Sequence, residues 1–327
     1  EEGQGAVFLR EQGAMRTVRT AEIPVYRGLI EDRHGTPLAI SSPVVSLWAN
    51  PQQLKDSPRL AELAALLGVD AAVLKDKLAL YGNKHFMYLA RHQAPDFARQ
   101  ILQEAFPGVR GERAYRRYYP AGEVTAQVLG LTNVDGEGIA GIELAFEQWL
   151  QGVPGKKRFI KDLHGDAVRD FGLITKPRPG KALSLSLDLR LQYVQHRELQ
   201  RAMKETGAVA GSAITVDAWT GEILAVSNYP VFNPNNREAF DYSAARNRAL
   251  TDVYEPGSTI KTLTLIAALE SGQFTIDSLV NTAPGRIRVG GKVLHDPRNY
   301  GEISVSKIIE KSSQVGVTKL AQAVGHE

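Results

Sequence analysis

The sequence contains no cysteine. That excludes disulfides and thiolate metal sites, and it leaves the compartment open, because a cysteine-free chain suits reducing and oxidising surroundings alike. There is no run of about 18 consecutive apolar residues, so no stretch of this chain is read as a membrane-spanning helix. Residues Glu1–Arg10 lack the apolar core of a signal peptide. An excess of one charge is also missing: 39 Lys and Arg face 36 Asp and Glu, for a net charge of +3. The tightest basic cluster, Lys156-Lys157-Arg158, reads as a solvated turn, and nucleic acid is not an expected partner. The seven histidines show no H-E-x-x-H or H-x-x-x-H spacing, which argues against a zinc enzyme. No internal repeat or low-complexity tract is evident.

What is present describes an ordinary globular chain. At 327 residues, 43% hydrophobic and 23% charged, it has ample length for a core, and its size suggests two domains. Alternation in TAEIPVYRGLI and SPVVSLWAN predicts strands, with RGLIEDRHGTPLA (Arg27–Ala39) turning as a hairpin around Asp32-Arg33-His34-Gly35. Asp32 and Arg33 there read as a local ion pair. Short helices follow: Ser57-Pro58 carries a cap signal before RLAELAALLG, Asp70 one before AAVLKDKLALYG, and a third opens near Ala94-Pro95.

Gly136-Glu-Gly138-Ile-Ala-Gly141 matches G-x-G-x-x-G, with the acidic Asp162 further on. A dinucleotide loop needs those glycines directly after a buried parallel strand. Here Gly130 and Thr132–Asp135 intervene, so the segment reads as a glycine turn feeding the helix IELAFEQWL. Turn-rich Lys176–Gly180 places a domain boundary between residues 177 and 178. Beyond it come a strand, an Asp188 cap with a long helix ending at Gly207, and a hairpin turning at Thr220-Gly221. Strands followed by helices packed on them give an α+β class, an antiparallel sheet with helices on its faces.

The chemistry concentrates in YEPGSTIKT (Tyr254–Thr262). Ser258 and Lys261 lie one helical turn apart. Pro256-Gly257 lets a helix begin at the serine, and the apolar run after it predicts a helix buried on nearly every side. A serine attacks a carbonyl only if a base takes its proton. Lysine becomes that base when burial disfavours its ammonium, an effect of up to about 3–5 pKa units, against which the helix dipole is minor. His295-Asp296 offers part of a Ser-His-Asp set, but Lys261 already supplies a base, and His295 reads as structural.

Together with KSSQVGVTKLA (Lys311–Ala321), LSLDLRLQ (Leu185–Gln192), TGEILAVSNYPVFNPNN (Thr220–Asn236) and AARNRAL (Ala244–Leu250), this stretch resembles the transpeptidase domain of class B penicillin-binding proteins. It is most similar to the division-specific type, penicillin-binding protein 3. Ser-x-x-Lys with Ser-x-Asn and Lys-Thr-Gly is a known signature of penicillin-binding proteins. RGLIEDRHGTPLA and RRYYPAGE (Arg116–Glu123) resemble that family's N-terminal pedestal or dimerisation module. The resemblance implies a pedestal over residues 1–177 and a transpeptidase domain over 178–327. Here Ser312-Ser313-Gln314 stands where the family has Ser-x-Asn, and no Lys-Thr/Ser-Gly follows by Glu327. The expectation is therefore an incomplete catalytic domain.

By the same resemblance, Ser258 is the acylated nucleophile and Lys261 its base. Ser312 relays a proton to the leaving amine, and Gln314 contacts the acyl-donor amide. The implied reaction is D-alanyl-D-alanine transpeptidation of peptidoglycan stem peptides during septal cell-wall synthesis, with β-lactams as inhibitors and no metal or organic cofactor. Implied partners are a septal glycosyltransferase and other division proteins. The implied location is the inner membrane, with the catalytic part in the periplasm and an N-terminal anchor preceding this chain. Two alternatives share parts of the pattern. A serine β-lactamase has Ser-x-x-Lys but does not need so long an N-terminal module. A non-catalytic division scaffold or penicillin-binding sensor would account for Gln314 and the missing third motif.

Overall fold

The computed structural model describes residues 18–161, 167–236 and 242–325. Cα packing divides the chain into two compact units, Glu1–Asp252 and Val253–Glu327. Among the described residues no helix is long and apolar enough to cross a membrane.

The first unit is built on the strand Pro37–Ala49, which pairs antiparallel with Met87–Gln93 and Val109–Tyr118. Helices Leu60–Leu67, Ala71–Leu80 and Pro95–Gln103 close one core over it, around Leu47, Leu54, Leu63, Leu78 and Ile101. Asp70 caps its helix as expected, accepting the Ala72 N–H at 2.7 Å. Ser57 does not cap the preceding one. Its hydroxyl accepts from the Arg59 N–H at 3.3 Å, a turn that delays the helix until Leu60.

The hairpin at Asp32 forms, with Ile30 opposite Ala39, but without the expected Asp32–Arg33 pair. Asp32 Oδ1 accepts the N–H groups of His34 and Thr36, both at 2.8 Å, and Oδ2 accepts that of Leu189 at 3.1 Å. Arg33 instead reaches Glu222 at 3.2 Å. A tight turn gathers N–H donors around a short carboxylate, and fixed donors outcompete a flexible, half-exposed guanidinium. Burial alone would raise the Asp32 carboxyl; the N–H donors of Thr36, Leu189 and His34 outweigh it and hold the group below its ordinary value.

The glycine turn has a structural task. A Cβ on Gly138 would sit 2.2 Å from the Glu143 carbonyl oxygen, and one on Gly141 (φ +59°) within 2.7 Å of the Val128–Gly130 backbone. That close approach brings Glu143 between two arginines. Its fully buried carboxylate accepts from Arg27 Nε at 2.5 Å and Arg117 Nε at 2.6 Å. The segment before these glycines is the helix Ala126–Leu129, not a parallel strand. Asp162 lies outside the described residues. The expected helix IELAFEQWL is two short ones, Gly141–Ala145 and Glu147–Leu150, breaking at Phe146.

Further on, Asp188 accepts the Arg190 and Leu191 N–H groups and starts the helix Leu189–Thr206, which ends at left-handed Gly207. That helix packs on the hairpin Gly211–Val216/Ile223–Tyr229. Buried Gln192 stitches the two: it donates to the Val226 carbonyl at 2.7 Å and accepts the Val226 N–H at 2.8 Å, as a neighbouring strand would. Asp217 accepts from Trp219 and Thr220 and forms the predicted turn.

The second unit holds the turn Gly257–Ile260, the helix Lys261–Glu270, and strand Leu279–Asn281 paired with Glu302–Ser304. The hairpin Arg286–Val289/Lys292–His295 precedes two helices, Val305–Glu310 and Gln314–Val324. Its core joins Ala268, Val280, Val305, Ile308 and Leu320.

Candidate active site

Ser258 sits in a 3₁₀ turn, and the α-helix proper begins at Lys261. Helix Lys261–Glu270 is not buried on nearly every side. Leu265, Ala268 and Leu269 pack on the core of the second unit, while Leu263 is 60% and Ile266 45% exposed. The cause is that within this unit the core packs against one face of the helix. Ser258, in the turn before the helix, is exposed, and Lys261 is partly buried.

The fold brings together three of the four residues expected from the sequence. Lys261 Nζ donates to the Ser312 carbonyl at 2.6 Å and lies 3.0 Å from Ser312 Oγ. Ser312 Oγ in turn donates to Ser258 Oγ at 3.1 Å. The hydrogen-bonded path from lysine to nucleophile therefore runs through the second serine. With Lys261 neutral the two hydroxyl bonds reverse at the same distances: one lysine N–H stays on the Ser312 carbonyl, the nitrogen lone pair accepts the Ser312 O–H, and Ser312 Oγ accepts the Ser258 O–H. Desolvation pushes the Lys261 ammonium below its ordinary value, and the negative charge of Asp296 works against that shift.

Ser312 has φ +53°, a left-handed conformation that few serines adopt. It follows the helix Val305–Glu310, where its N–H bonds the Ile309 carbonyl and the Ser313 N–H bonds that of Ile308. Ser313, fully buried, then caps the next helix by accepting the Gly316 N–H at 2.8 Å. Gly316 must be small, since a Cβ there would come within 2.7 Å of the Ile308 side chain. Gln314 is exposed at the first helical position, and its backbone N–H goes to Asp296 Oδ1 at 2.6 Å.

Two residues of this arrangement were not found by sequence reasoning. Ser313 carried a signal, a serine placed to cap the helix that follows it. Asp296 carried none for this task, and beside His295 it suggested a different triad. His295 itself is exposed at the end of a hairpin strand. Among the described residues no group of three His, Asp or Glu side chains could hold a metal ion.

A Ser-x-x-Lys turn whose lysine reaches the serine through a second, distant serine is the arrangement of a serine acyl-transfer centre. The chain belongs to the penicillin-binding proteins. The model of the penicillin-binding protein transpeptidase domain matches residues 211–327, and that of the penicillin-binding protein dimerisation domain matches residues 22–185. Peptidoglycan D,D-transpeptidase FtsI of Escherichia coli K12 is 40% identical over 97% of this chain and 54% of its own length. A probable peptidoglycan D,D-transpeptidase, PbpC of Pseudomonas aeruginosa, is also 40% identical, over 97% of this chain and 56% of its own. The chain thus spans about half the length of the curated relatives it matches. Among solved structures, penicillin-binding protein 2X of Streptococcus thermophilus shares the fold with a TM-score of 0.69 at 25% identity, covering 94% of this chain and 50% of that one. Penicillin-binding protein 2 of Helicobacter pylori, solved in complex with MreC, gives 0.71 at 21% identity over 91% of this chain and 61% of that one.

Proposed function

We propose that this chain carries the acylating centre of a peptidoglycan D,D-transpeptidase of septal cell-wall synthesis. The observation that carries the reading is the path Lys261–Ser312–Ser258, with bonds of 3.0 and 3.1 Å. Ser258 attacks the penultimate D-alanine carbonyl of a stem peptide, and its proton passes to Lys261 by way of Ser312. The backbone N–H of Ser258 is one oxyanion donor; losing such a donor typically costs about 10²–10³ in rate. The proton then returns through Ser312 to the leaving D-alanine, and an amine from a neighbouring stem peptide resolves the acyl-enzyme. Gln314, exposed beside this path, takes the place of the family's asparagine in contacting the acyl-donor amide. A β-lactam acylates the same hydroxyl.

The domain reading follows the resemblance, with a pedestal over residues 1–177 and transpeptidase residues from 178 on. The same source supports a membrane anchor preceding this chain, a periplasmic catalytic part, and partnership with a septal glycosyltransferase and other division proteins. The test is covalent labelling of the full-length protein by a fluorescent penicillin. Wild type should form one adduct, and Ser258→Ala, still folded, none. An adduct on the alanine variant detected by mass spectrometry would refute the assignment.

A further inference from the structure

We infer that Asp296 is a positioning residue for acylation, clamping the Ser312–Ser313–Gln314 turn so that the Ser312 hydroxyl bridges Lys261 and Ser258. This rests on the acylation reading above. Asp296 is 8% exposed and comes from a different segment than either serine it serves. Its own N–H is held by the Gly285 carbonyl at 2.9 Å, at the foot of the 286–295 hairpin. From that anchored position its carboxylate makes three bonds. Oδ2 accepts Ser313 Oγ–H at 2.6 Å, and Oδ1 accepts the N–H groups of Gln314 at 2.6 Å and Val315 at 3.2 Å.

Three of the N–H groups that a helix start leaves without partners are thereby satisfied: Gln314 and Val315 by the carboxylate, Gly316 by the Ser313 hydroxyl. Ser312 is the residue immediately before this clamp. A serine at φ +53° holds that backbone only when its neighbours over-determine it. On one side the Ile308 and Ile309 carbonyls do so; on the other, Asp296 does. The serine of the proton path is thus held by a carboxylate whose bonds go to the three residues after it, Ser313, Gln314 and Val315.

A plain helix cap would hold the turn without influencing the base. Asp296 does more, because its charge acts on Lys261 and opposes the effect of desolvation. Charged groups on the elements that carry and surround the site are occupied or solvated. Glu255 and Glu270 are exposed, Lys307 and Lys311 both pair with Glu310, and Lys319 Nζ donates to the Asn281 carbonyl. Removing the Asp296 charge therefore lowers the Lys261 pKa further. The acidic limb of the acylation rate, where Lys261 loses its proton, then moves to lower pH.

The experiment uses the full-length protein, a fluorescent penicillin, and second-order acylation constants normalised to the fraction of molecules that form an adduct. Asp296→Asn keeps one oxygen for the helix N–H groups but presents an N–H to Ser313. Its plateau constant should fall about 10- to 100-fold, as expected when a reacting group is displaced by up to an ångström. Its acidic limb should shift to lower pH. Ser313→Ala, which keeps the carboxylate, should lower the plateau while leaving the limb in place, and it serves if the asparagine variant does not fold. A wild-type plateau in both variants overturns the inference, while wild-type labelling upholds the acylation reading. An unmoved limb in Asp296→Asn reduces Asp296 to a helix cap and overturns it too. A wild-type protein that takes no penicillin refutes the reading itself, and the inference falls with it.

Discussion

The serial proton path makes a quantitative demand on double substitutions. Lys261 reaches Ser258 along bonds of 3.0 Å to Ser312 Oγ and 3.1 Å onward, so cutting either link cuts the same path. A general base in position contributes about 10²–10⁴ in rate, or about 2.7–5.4 kcal/mol at 1.36 kcal/mol per decade. Lys261→Ala should lose acylation within that range, and Ser312→Ala should come close to it. If the two groups acted independently, the double variant would multiply the losses to about 10⁴–10⁸. Groups that act as one unit are instead strongly non-additive. We therefore expect the double variant to be no more than a few-fold slower than the worse single one, with a coupling energy of about 2.7–5.4 kcal/mol. Rapid-quench labelling with a fluorescent penicillin, normalised to active sites, measures all four proteins. Losses that multiply would show that Lys261 acts on Ser258 without Ser312, and the relay would be abandoned.

Two further predictions concern charge. Lys261→Arg should acylate no faster than Lys261→Ala, because a guanidinium keeps its proton in a protein and cannot accept one; a rate within a few-fold of wild type would mean that Lys261 acts by its charge alone. Glu143→Gln should destabilise the first unit by about 3–5 kcal/mol, since it leaves two buried arginines short of one negative charge. Chemical denaturation followed by a probe in the first unit checks this, and a loss below about 1 kcal/mol would show that the arginines find other partners or water.

The structure bears out the local signals at several points. Asp188 and Gly207 bound their helix, Asp217 turns its hairpin, and the α+β class holds. Each depends on a side chain satisfying backbone groups within a few residues, which sequence spacing reports directly. Ser57 shows where such a signal fails. The same hydroxyl can close a turn or cap a helix, and both use an N–H two or three residues on. Asp32 fails for a related reason: a neighbouring arginine suggests a pair, while three N–H donors, one of them at Leu189, claim the carboxylate.

For the site itself, the sequence alone determined that Ser258 and Lys261 share one turn, because three-residue spacing places side chains on the same face. Through family likeness it also implied that Ser312 belongs with them. The tertiary structure decided the rest. It routed the lysine through Ser312, across 51 residues of chain, and set Ser312 in a left-handed turn. It exposed one side of a helix whose composition predicted burial, and it placed Asp296 beneath Ser313 and Gln314. Periodicity and caps are properties of a few consecutive residues. A contact between Asp296 and Ser313, or Glu143 and Arg27, exists only after distant segments have packed, and no local spacing encodes it.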